Sequence, residues 1–132
     1  MNIETLEQYY GLASNIEAIE REIQVLYSPI RSPIGSGSGQ SEPGDPTERS
    51  AMRIIMLKEK LEQERTQMLE LAEEIEEWLL TVRDTELVSI IRWHYILRLN
   101  WKQTNVKVYG YPDYNYSRQK VIRYFQKVVR IE

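Results

Sequence analysis

The sequence predicts an all-α protein: a long antiparallel, coiled-coil-like helical hairpin followed by a three-helix helix-turn-helix module. Three observations carry this. Apolar residues recur at alternating spacings of three and four along two long segments, the period of a helix with one buried stripe. After residue 83 the pattern restarts in three shorter segments separated by capping and turn-forming residues. Charge is also divided: residues 1–80 hold sixteen acidic and seven basic side chains, a net −9, whereas 81–132 hold four acidic and ten basic, a net +6. An acidic arm joined to a basic unit implies different partners for the two.

The first segment carries Tyr9, Leu12, Ile16, Ile19, Ile23, Leu26 and Ile30 on one stripe. A helix is expected from about Ile3 to Tyr27, ended by Ser28-Pro29 because the residue before proline avoids the helical region. Residues 31–46 are rich in Gly, Ser and Pro and have almost nothing to bury, so they read as a loop, mobile or in contact with a partner. The Gly-Ser-Gly-Ser-Gly run lacks the lysine and spacing of a phosphate cradle. Thr47 is then placed to cap a second helix, with Glu48 in its first turn. Its seam comprises Ile54, Leu57, Leu61, Met68, Leu71, Ile75, Trp78 and Val82, interrupted by Glu64, an interruption that fixes register at some cost. That helix should reach about Leu80, roughly 50 Å at 1.5 Å per residue. Residues 1–82 thus form a hairpin arm for oligomerisation or partner binding. A homo-oligomer, a dimer first, is expected from surplus apolar surface; a monomeric hairpin closing on the carboxyl-terminal module is the alternative.

Residues 83–132 form the second expected domain. Asp84 caps a third helix with Glu86 in its first turn and Leu87, Ile90, Ile91, Tyr95 and Leu99 on the apolar face. Asn100 caps a fourth from Trp101 to about Tyr109, with Thr104 and Val108 inward and Gly110 at the stop. After a tyrosine-rich turn, Ser117 is expected to cap a fifth helix reaching Arg130. Val121, Ile122, Phe125, Val128 and Val129 share its packed face, and Lys120, Arg123, Lys127 and Arg130 the opposite one. There is no acidic residue between Tyr114 and Ile131, so such a cationic stripe calls for an anion alongside, and a polyphosphate backbone supplies one.

Double-stranded DNA is therefore the expected partner, with the fifth helix in the major groove. Tyr116, Ser117, Arg118, Gln119 and Lys120 fall at the base-reading end, where Arg pairs with guanine and Gln with adenine. Arg123, Lys127 and Arg130 fall on phosphates, and Lys102, Gln103 and Lys107 touch the backbone from the preceding helix. Trp101 reads as a core plug, and tyrosines 111 and 114 as turn residues packed on their neighbours. His94, the single histidine, reads as a partly buried helix residue, since the chain has no cysteine and no second histidine to complete a metal site. Glu73, Glu74, Glu76 and Glu77 read as a solvated face. No catalytic constellation, cofactor or metal is expected, and so no enzyme. No apolar run reaches membrane-spanning length and the first residues are acidic, so a cytoplasmic location is expected.

The stretch Asp84-x-Glu86, Ile90-Ile91-Arg92-Trp93-His94-Tyr95-Ile96 and Leu99-Asn100-Trp101 resembles region 4 of bacterial sigma factors. The whole order, with Asp45-Pro46-Thr47-Glu48-Arg49-Ser50-Ala51 re-entering a helix, is similar to small phage-encoded late-transcription activators of the RinA type. The resemblance implies a phage or prophage regulator in the bacterial host cell, activating late or packaging genes, with RNA polymerase as a further partner and DNA read from Ser117 to Arg123. Two positions depart from the family pattern: Arg98 stands where glycine is usual, and Asn105 where a small residue is usual. Two alternatives carry other functions, the small DNA-recognition subunit of a phage packaging terminase and a coiled-coil adaptor.

Overall fold

The structure, a computed structural model, describes residues 1–27 and 48–131, with side chains described as far as Lys127. The expected loop 31–46, the Thr47 cap and the side chain of Arg130 lie outside the described residues. Among the described residues all regular structure is helical: α1 (Ile3–Tyr27), α2 (Glu48–Leu79), α3 (Thr85–Ile91) running on into a π-helical turn (Arg92–Ile96), α4 (Trp101–Tyr109) and α5 (Tyr116–Ile131). No described helix is long and apolar enough to cross a membrane.

The chain divides into two compact units, residues 13–67 and residues 1–12 with 68–132. In the first, Ala13, Ile16 and Ile19 of α1 and Ile54, Leu57 and Leu61 of α2 are buried. Asn15 opposite Glu64 and Glu22 opposite Arg53 give the antiparallel register. Glu64, the polar residue in the seam, receives the Asn15 amide on both carboxylate oxygens at 2.7 Å. The Glu22–Arg53 and Glu20–Arg65 ion pairs are exposed, and contacts of this kind are worth under about 1 kcal/mol each. Hydrophobic burial therefore holds this part of the hairpin.

In the second unit one core collects Leu6 and Tyr9 of α1, Ile75 and Leu79 of α2, Leu87, Ile90, Ile91 and Tyr95, and Val121 and Phe125 of α5. Trp78 stacks on Phe125 with centroids 5.6 Å apart. The expected boundary at residue 83 differs from this division. Helices α3, α4 and α5 pack on one another, but they are short, and the ends of the two long helices supply the apolar surface that closes their core.

The local signals of the module act as their chemistry dictates. Asp84 Oδ1 accepts the N–H groups of Glu86 and Leu87, capping α3. Asn100 and Gln103 form a capping box at α4, and Gly110 ends α4 in the left-handed conformation at φ 88°.

The third helix differs from the continuous helix to Leu99 that its apolar face predicts. From Arg92 it widens to a π-helical turn, in which Leu97 N–H donates to Arg92 O and Leu99 N–H to Trp93 O. Arg98 closes it at φ 63°, in the left-handed region that favours glycine. Its guanidinium lies 5.7 Å from the centre of the Tyr10 ring, so the side chain recovers part of what the backbone conformation costs. Arg98→Ala keeps the strain and loses the ring contact, and is expected to destabilise the protein by about 1 kcal/mol. Arg98→Gly, which loses the contact and relieves the strain, should stay within about 0.5 kcal/mol of the parent. Urea unfolding of both variants measures the difference, and a glycine variant as weak as the alanine one would refute the strain.

Candidate functional site

The segment from α4 to α5 is built around one buried polar connection. Asn105, fully buried in α4, donates through Nδ2 to Tyr111 O at 2.8 Å and accepts the Ser117 hydroxyl on Oδ1 at 2.6 Å. Helix, turn and the first turn of α5 are thereby tied together. Asp113 Oδ1 receives the N–H groups of Asn115 and Tyr116, and these two bonds hold the Asp113 carboxyl below the usual carboxylate range.

This corrects the expected role of Ser117. It lies inside α5 rather than at its cap, it is fully buried, and its hydroxyl is spent on Asn105. Ser117, Val121 and Phe125, four residues apart, are the packed stripe of α5. The outward face carries Tyr116, Gln119, Arg123, Gln126 and Lys127. Arg118 is exposed on its flank, beside a groove of about 170 Å³ lined also by Glu7, His94, Tyr95 and Trp101.

Lys120 requires a second correction. Its ammonium lies 2.8 Å from Glu86 Oε2 and 3.3 Å from Asp84 Oδ2, so it belongs to an ion-paired corner with α3 and not to an open cationic stripe. The Lys120 hydrogen bond holds the Glu86 carboxyl below the usual range, aided by Tyr109, and Lys120 itself is raised by Glu86. Burial pushes Asp84 up, but the Leu87 N–H and Lys120 outweigh it and hold it below the ordinary value. The Tyr109 hydroxyl donates to Glu86 at 2.9 Å, and burial together with that carboxylate pushes the phenol up to about 12.

On α4, Lys102, Gln103, Val106 and Lys107 are exposed. Gln103 Oε1 accepts the Asn100 N–H in the capping box, and the Lys107 ammonium lies 5.3 Å over the Trp93 ring. In the turn, Tyr111 and Tyr114 are 46% and 58% exposed, contrary to the expectation that they pack away. Of the predicted residues, then, the outward faces present Lys102, Gln103, Lys107, Tyr116, Arg118, Gln119, Arg123 and Lys127, and the fold withdraws Ser117 and Lys120.

His94, expected as a partly buried helix residue, is buried. It stacks between Trp101, at 3.5 Å between centroids, and Tyr10, at 5.0 Å, with Nδ1 2.7 Å from Leu99 O. A neutral ring donating from Nδ1 to that carbonyl satisfies this geometry. Burial lowers its pKa below the ordinary 6.5, outweighing the Leu99 hydrogen bond. A depressed histidine means that the unfolded chain binds the proton first as pH falls through about 6.5, so stability falls with it. Thermal unfolding should show a loss between pH 7.5 and 5.5 that is absent in His94→Phe. An identical slope in that variant would assign the titration to another group.

Glu76 of the acidic cluster pairs with Arg92 through two hydrogen bonds at 2.9 and 3.0 Å, which hold its carboxyl low. Among the described residues no group of three His, Asp or Glu side chains is arranged to hold a metal ion. No protein-family model, curated protein or solved structure matches the chain.

Proposed function

We propose that this chain is a DNA-binding transcription regulator of a phage or prophage, acting in the bacterial cytoplasm, with α5 lying in the major groove. The observation that supports it best is the outward face of α5: Tyr116, Gln119, Arg123, Gln126 and Lys127 present amides, cations and an aromatic ring with no carboxylate among them. That face follows a short helix and a capped turn, the arrangement that offers the first turns of a second helix to base edges. Gln119 and Arg123, one turn apart at its centre, are the residues for bidentate readout of adenine and guanine. Arg118, Lys127, Lys102 and Lys107 contact phosphates at the margins, and the exposed tyrosines of the turn add hydroxyl donors. The resemblance to sigma region 4 and RinA-type activators supports activation of late or packaging genes through RNA polymerase. A homodimer is supported by the exposed Met52, Ile55 and Met56, which share one face of α2.

A titration of duplex DNA at several salt concentrations tests this. Contact with about four to six phosphates gives log K against log salt a slope near −4 to −5, and Lys127→Gln should reduce its magnitude by about 0.9 while weakening binding to all duplexes alike. If the protein binds no duplex at low salt, the proposal fails. Assembly into a closed ring of many subunits would favour a packaging role over regulation.

A further inference from the structure

We propose that Lys120 is a positioning residue, locking the tilt of α5 on α3 and α4, and that it makes no contact with DNA phosphate. This rests on α5 being the DNA-reading helix. Three elements meet at Lys120. The start of α3 brings Asp84 and Glu86, the end of α4 brings the Tyr109 hydroxyl, and α5 brings the ammonium group. Glu86 Oε2 accepts from both Lys120 Nζ and Tyr109 Oη, at 2.8 and 2.9 Å, while the other oxygen of Asp84 caps α3. Of the two carboxylates that hold Lys120, Asp84 is already fixed to the backbone of α3 by its cap and Glu86 is held by the Tyr109 hydroxyl of α4, so less side-chain freedom is lost in forming the pairs.

The local charge argues in the same direction. Two carboxylates against one ammonium leave the corner with a net charge of −1, which repels a phosphate that the cation alone would attract. Lys120 is only 29% exposed in its side chain, whereas Gln119 and Arg123 beside it in sequence face outward. The network also touches the reading face indirectly: the Tyr109 ring lies edge-on to Tyr116, with centroids 4.9 Å apart, in the first turn of α5. Releasing Lys120 loosens Glu86, the acceptor that holds the Tyr109 hydroxyl, and through Tyr109 the ring that opens the outward face.

The test uses the full chain and two probes, a duplex enriched for tight binding from a random-sequence pool and a scrambled duplex of the same composition. A positioning role predicts that Lys120→Met lowers the preference for the enriched duplex about tenfold and leaves the salt slope at the parental value. Glu86→Gln is the decisive partner. It removes a negative charge, so simple electrostatics predicts tighter binding to both duplexes, whereas loss of the lock predicts the same drop in preference as Lys120→Met. Lys120→Arg, which keeps the ion pairs, should restore the preference. A salt slope reduced by about 0.9 in Lys120→Met, as for Lys127→Gln, would identify a phosphate contact and overturn the proposal. An unchanged preference in both Lys120→Met and Glu86→Gln would overturn it as well. Parent protein that binds neither duplex would instead overturn the DNA-binding function itself.

Discussion

Replacing Asn105 by alanine is expected to destabilise the protein by about 2–3 kcal/mol, the cost of leaving buried polar groups without partners. The substitution strands two groups at once: the Tyr111 carbonyl loses its donor and the buried Ser117 hydroxyl loses its acceptor. In a chain of this size the loss lowers Tm by roughly 8–12 °C. Ser117→Ala removes one donor only and should cost about 1 kcal/mol. The double variant should cost less than the two singles added, because the Ser117 hydroxyl that Asn105→Ala strands is no longer there. Differential scanning calorimetry of the three variants decides it. Strict additivity would mean that the two side chains do not form one connection. A small side chain at position 105 could not reach both the turn and α5.

The second large effect concerns autonomy. The segment 83–132, taken alone, is expected not to fold, although its helices and caps read as a complete module. Its core is completed by Leu6, Tyr9, Ile75 and Leu79, all buried and all outside it. Each side chain of this size contributes about 1.5–3 kcal/mol on burial, so removing the four forfeits about as much as a small domain's whole stability. Circular dichroism of the fragment should show little helix and no cooperative thermal transition. A sharp transition in the isolated fragment would restore the boundary at residue 83 as a true domain limit. The same dependence means that Leu6→Ala, remote in sequence, should loosen the module carrying α5.

Much of the module was legible because its signals are local. Asp84, Asn100 and Gly110 act within three or four residues of themselves, through backbone groups whose positions a helix end fixes. The seams of α1 and α2 were legible for the same reason, since a period of 3.6 needs no partner to be seen. Lys120 was not. On a helical projection it belongs with Arg123 and Lys127, and no acid lies near it in sequence; the acids that neutralise it lie 34 and 36 positions away. Ser117 was misplaced because serine is a frequent cap, and only the neighbouring Asn105 shows that its hydroxyl is already engaged inside the fold. The π-helical turn left no apolar signature, and the left-handed backbone of Arg98 that ends it is seen only in the structure.

By itself the sequence determined that this protein is all-α, where α3 and α4 begin and α4 ends, and that a basic unit follows an acidic hairpin. Those properties follow from side-chain period, capping chemistry and formal charge, which act over a few residues or need no geometry at all. Only the tertiary structure decided which cations of α5 face outward, which one is held by carboxylates of α3, and which parts of the long helices complete the core. Each of those depends on groups far apart in the chain meeting at hydrogen-bond or van der Waals distance.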